Sequence, residues 1–81
     1  MTLGKRLKLL LQVKGTTQKE LAKTIGVNEC VVSRWCKQLR LPSTRYLNKV
    51  CAFLGVSLDV LMGNTPLIDV LLARYDEGLI K

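Results

Sequence analysis

Thirteen lysines and arginines, six carboxylates, three cysteines and no histidine are the reactive and charged side chains of this 81-residue chain. They offer little to catalysis. No imidazole is present to move a proton near neutrality, no glycine-rich loop to cradle a phosphate, and no serine or cysteine at a motif spacing from a base. The chain is therefore not expected to be an enzyme. Cys30, Cys36 and Cys51 lack the close C-x-x-C pair and the four ligands of a structural zinc site, so no metal and no cofactor are expected. An odd number of thiols without a secretion signal fits free cysteines in a reducing cytoplasm, the expected location.

The basic groups carry the remaining chemistry, and their placement says more than their number. Residues 1–50 hold eleven lysines and arginines against Glu20 and Glu29, a surplus of nine positive charges. Residues 51–81 hold Arg74 and Lys81 against Asp59, Asp69, Asp76 and Glu77, a surplus of two negative charges. A basic body with a mildly acidic tail points to a polyanionic partner, nucleic acid or an anionic membrane surface. With 48% hydrophobic residues the chain is too apolar for disorder, and no apolar run approaches the ~20 residues of a membrane span. A soluble, unprocessed protein is expected. At this length the chain forms one small domain, or a piece of something larger, held together by packing and by a partner subunit.

The elements that must position these charges are all helical. Leu3, Leu7, Leu10 and Leu11 form the stripe of a first helix ending at Gly15, with Lys5, Arg6, Lys8 and Lys14 largely off it. Thr17-Gln18-Lys19-Glu20 has the capping-box spacing, in which hydroxyl and carboxylate satisfy each other's backbone amides. It opens a second helix carrying Leu21, Ala22 and Ile25 and stopping at Gly26. Asn28 is the N-cap candidate of a third helix over about residues 29–37, with Val31, Val32 and Trp35 apolar. A basic connector through Pro42 leads to Ser43 and a fourth helix bearing Leu47, Val50, Cys51 and Leu54, ending at Gly55. Ser57 caps a short fifth helix, Leu58 to Met62. Thr65-Pro66 then starts a sixth, with Leu67, Ile68, Leu71, Leu72 and Tyr75 on one face. The fold class is all-α: five helices over residues 1–63 plus a C-terminal helical tail over 64–81.

Two short helices joined by a tight glycine-led turn, with small Ala22 at their crossing and Val32 and Trp35 plugging the core, are the makings of a helix-turn-helix. Around them Lys14-Gly15, Thr17-Gln18-Lys19-Glu20-Leu21-Ala22, Ile25-Gly26-Val27-Asn28, Val32-Ser33-Arg34-Trp35, Leu41-Pro42-Ser43 and Leu54-Gly55-Val56-Ser57-Leu58-Asp59 fall in register without a gap. Residues 3–62 thereby resemble the Cro and phage-repressor type of helix-turn-helix domain, the XRE family. The resemblance covers about three quarters of the chain. It implies a lambda-repressor-like five-helix bundle that binds double-stranded operator DNA, usually as a dimer, with the third helix in the major groove.

Carried over residue by residue, the resemblance puts Gln18 on a phosphate, bracing a neighbouring recognition residue; a helix N-terminus also offers free amides to a phosphate. It assigns base reading to Glu29, Cys30 and Arg34. A guanidinium can span O6 and N7 of guanine, a carboxylate can accept from cytosine N4, and a thiol can touch a thymine methyl. Asn28, Ser33, Lys37 and Arg40 fall where the family meets the DNA backbone, and Lys5, Arg6 and Arg45 extend that footprint. Two positions depart from the family's habit. Gln38 stands where glycine is common, which requires either a left-handed glutamine or a differently shaped turn, and Cys36 stands where an acidic residue is frequent.

The expected function is a sequence-specific transcriptional regulator, a repressor binding a palindromic operator as a homodimer. The tail face of Leu67, Ile68, Leu71, Leu72 and Tyr75 would supply the dimer contact, the alternative being that it caps the bundle within one chain. A competing function is an antitoxin or protein-interaction module whose tail binds a partner protein. Membrane binding through the basic first helix is disfavoured because its leucines are needed in the core.

Overall fold

The computed structural model describes residues 2–64 and 69–73. Five helices run in order: α1 (Leu3–Val13), α2 (Gln18–Ile25), α3 (Glu29–Cys36), α4 (Thr44–Leu54) and α5 (Leu58–Met62). The chain is helical again over 69–73. Among the described residues there is no strand, and no helix is long and apolar enough to cross a membrane.

Local chemistry explains where each helix begins. Thr2, Thr17 and Ser57 each accept a hydrogen bond from the amide three residues on, at 3.2, 3.1 and 3.2 Å. The capping box at α2 forms only in half. Glu20 accepts from the Thr16 hydroxyl at 2.8 Å instead of reaching back to the Thr17 amide. Asn28 and Ser43 occupy N-cap positions with extended backbone, but their side chains make no cap bond.

Helices of eight residues are marginal alone, so α2 and α3 depend on the surface they bury. They pack against each other, with Ala22 of α2 buried, and α1 closes over α3 while α4 packs on α2. Leu7, Leu10, Leu11, Leu21, Ile25, Val32, Trp35, Val50, Leu54 and Leu61 form the core. Leu9 is also buried, outside the stripe read from the sequence. Because α1 packs against both α3 and α5, more than one row of its side chains is covered.

That enclosure corrects the reading of Arg6. Arg6 is 4% exposed, and its Nε and Nη2 donate to the two carboxylate oxygens of Asp69 at 2.8 and 3.1 Å. Its Nη1 donates to the Leu61 carbonyl at 3.0 Å, one of the open carbonyls ending α5. The guanidinium lies where a Cβ at Gly63 would sit, so that position leaves it room. Arg6 is therefore withdrawn from the phosphate-facing surface assigned to it.

Leu72 needs a second correction. It lies 3% exposed within the chain's own core, so while residues 69–73 are seated it is not a surface for a second subunit. Leu71 is half exposed. Leu67, Ile68 and Tyr75 lie outside the described residues.

Candidate nucleic-acid interface

Helix α3 is anchored by two side chains and presents the rest. Val32 is fully buried and Trp35 nearly so. The Trp35 ring also meets Tyr46 of α4 at a centroid distance of 5.8 Å, with Lys49 Nζ 5.7 Å from the Tyr46 ring centre. Three residues apart on an eight-residue helix, the two anchors turn one face inward. Glu29, Cys30 and Arg34 are all exposed, Ser33 is partly so, and Lys37 is exposed at the C-cap. The structure thus brings the three expected base readers onto one outward face.

The approach to that face is set by the turn before it. Gly26, at φ 81°, ends α2, and its amide donates to Ala22 at 2.9 Å. Only Val27 and Asn28 then separate it from α3. Asn28 is exposed at the N-cap with its side chain uncommitted to the helix, so its amide group is available to an oxyanion. Gln18 is the half-buried first residue of α2. Among the described residues it makes no hydrogen bond to α3, so the expected brace on a recognition residue is not formed in the free protein.

Beyond α3 the chain turns sharply. Gln38 adopts φ 60°, the left-handed conformation, which settles the alternative left open by the sequence. The connector then folds back so that Arg40, Leu41, Pro42 and Ser43 face Arg34, Trp35 and Tyr46 across a cleft of about 350 Å³. Arg34 and Arg40 border the same cleft, a proximity that spacing along the chain does not reveal. Leu39 and Leu41 are 73% and 67% exposed on either side of Arg40, apolar groups in a basic connector that the sequence reading passed over.

The remaining basic groups flank this region unevenly. Lys5 and Arg45 are exposed, whereas Arg6 is buried, as described above. Cys36 is half-buried: burial pushes its thiol up, opposed by the nearby Lys8 ammonium. Burial likewise raises the Cys51 thiol. Of the three cysteines, Cys30 is exposed, Cys36 half-buried and Cys51 buried. Every polar side-chain atom buried among the described residues has a hydrogen-bond partner.

An exposed polar helix clamped on a two-helix turn is the arrangement that comparison with known proteins also finds. Residues 7–61 match the family described as "Helix-turn-helix". Among curated proteins, the HTH-type transcriptional regulator ImmR of Bacillus subtilis (strain 168) is 40% identical over 63 residues, 78% of this chain and 50% of that protein. The chain thus spans about half the length of that relative. No solved structure matches significantly. With the match running from α1 into α5, the chain belongs to the helix-turn-helix family, of the XRE type.

Proposed function

We propose that this chain is a sequence-specific double-stranded DNA-binding regulator of transcription, a repressor that seats α3 in the major groove of a two-fold operator as a homodimer. The observation that carries this reading is the division of α3 into an inner face held by Val32 and Trp35 and an outer face of Glu29, Cys30 and Arg34. A helix held rigidly from behind, with side chains free to reach base edges, meets the geometric requirement for direct readout. Arg34 bonds guanine, and Glu29 and Cys30 tune the neighbouring positions. Asn28, Ser33, Lys37, Arg40 and Gln18 hold the sugar-phosphate backbone and set register without reading sequence. The similarity to a protein named as a transcriptional regulator supports the same reading.

For the dimer, Leu71 and Val70, both half exposed, are the apolar side chains that the described part of the tail leaves to a partner. Leu67, Ile68 and Tyr75 belong to the same proposal. Two subunits related by a two-fold axis place their recognition helices about 34 Å apart, one turn of duplex.

Selection of binding sites from random duplex DNA tests both parts. The expected outcome is a palindromic consensus. Arg34→Ala then relaxes preference at one base pair per half-site, with discrimination falling by about 1–3 kcal/mol there. A uniform loss across all sequences would make Arg34 a phosphate contact, and a consensus consisting of a single half-site would remove the dimer.

A further inference from the structure

Gln38 is the only non-glycine residue with positive φ among those described, in a conformation disfavoured for glutamine. Its neighbours show what the conformation achieves. The amides of Gln38 and Leu39 donate to Trp35 and Arg34 carbonyls at 3.2 and 3.0 Å, closing α3 in a left-handed turn. The Gln38 side chain reaches the adjoining end of α1, where its Oε1 accepts from the backbone amide of Gly4, thirty-four positions earlier. That amide is one of the first four of α1, which no carbonyl within the helix can satisfy. The next, of Lys5, is taken by the Thr2 hydroxyl.

Gly4 permits this approach. A Cβ there would overlap the Cys36 and Trp35 carbonyls, so the first turn of α1 lies directly against the last turn of α3. The positive end of one helix meets the negative end of the other. A glycine at position 38 would make the turn without strain but could not hold α1. The chain forgoes the local backbone preference and gains a long-range hydrogen bond.

Resting on the proposed function, we propose that Gln38 is a positioning residue for DNA binding. It clamps the C-terminal end of the recognition helix to α1, and thereby fixes the direction in which Lys37 and Arg40, on either side of it, present their charges to the DNA backbone. Lys37 is exposed at the C-cap of α3, and Arg40 borders the cleft it shares with Arg34, so a swing of this corner moves both.

The test compares the full chain with Gln38→Gly and Gln38→Asn. Both substitutions suit a left-handed turn, and neither reaches Gly4. Binding to the selected duplex and its salt dependence are measured beside the melting temperature and hydrogen exchange of the Gly4 amide. Both variants are expected to melt close to the parent. They should nevertheless bind about fivefold or more weakly, about 1 kcal/mol, because the corner bearing Lys37 and Arg40 must then be ordered on binding, with a shallower salt slope and faster exchange at Gly4. Gln38→Glu, which keeps an acceptor at the same reach, is expected to restore Gly4 protection. Parental affinity and salt slope in Gln38→Gly would overturn the positioning role while leaving the proposed function intact. Weakened binding that only follows a lowered melting temperature would reduce Gln38 to a structural residue. Failure of the parent chain to bind any duplex would remove the proposed function, and the positioning role with it.

Discussion

An arginine can be withdrawn from water when each of its donors meets a good acceptor, and Arg6 has a carboxylate on one side and a helix-ending carbonyl on the other. Removing one partner is worse than never having had the pair. Arg6→Ala takes the guanidinium from Asp69 and reopens the Leu61 carbonyl, so it is expected to lower unfolding free energy by about 2–4 kcal/mol in denaturant titration, the partial exposure of Asp69 keeping it from the top of the range for buried pairs. The same contact has a pH signature. The Arg6 guanidinium holds the Asp69 carboxyl below its ordinary value of 3.8. A carboxyl depressed in the folded state contributes stability that is fully present above its unfolded pKa and lost as pH falls through the folded one. Acid unfolding of the parent chain and Asp69→Asn should therefore differ by a constant amount at neutral and mildly acidic pH. The two should converge only below the ordinary carboxylate range; a difference that faded between pH 7 and 5 would count against this assignment.

The helices repeat the lesson at larger scale, because what could be read in advance is what depends on near neighbours. Thr2, Thr17 and Ser57 act on amides three positions away and Gly26 on a turn of its own making, so five helices and their order were legible. So was the outward face of α3, since Val32 and Trp35 define it by periodicity. Arg6 was not, because its partner lies sixty-three positions away. Leu9 was missed because α1 packs against both α3 and α5, and the half-formed capping box because Thr16 competes for Glu20. The handedness of Gln38 depended on Gly4, which nothing local connects to it. Ala22 is buried on α2, the helix that packs against α3, and leaves no room there for a larger side chain. Ala22→Leu overfills that contact. A loss of about 1–3 kcal/mol in stability is expected, together with weaker operator binding by the fraction that remains folded, as α3 is pushed from its seat. Thermal melts and binding isotherms on the same sample separate the two effects.

For the whole molecule the distribution of charge decides how it meets a polyanion. Of the basic groups in residues 1–50, Arg6 is already neutralised by Asp69, while Lys37, Arg40 and Arg45 stay exposed beyond α3. Counterion release then separates their roles. If the proposed dimer neutralises about six phosphates, affinity is expected to fall ~10³-fold between 50 and 200 mM salt. Lys37→Ala should lower the slope of log K against log salt by about 0.9 for each phosphate contact removed. Arg6→Met should alter stability and leave that slope unchanged, and a shallower slope in Arg6→Met would return Arg6 to the contact surface.

The tie between Arg6 and Asp69 also bears on modularity. A graft of residues 2–63 onto another protein would carry the Arg6 guanidinium inside its bundle without Asp69, and an opening where Leu72 now sits. A piece moved between proteins with this interior intact is expected to extend at least to residue 73, so recombination that preserves the packing would carry residues 69–73 along with the five-helix bundle.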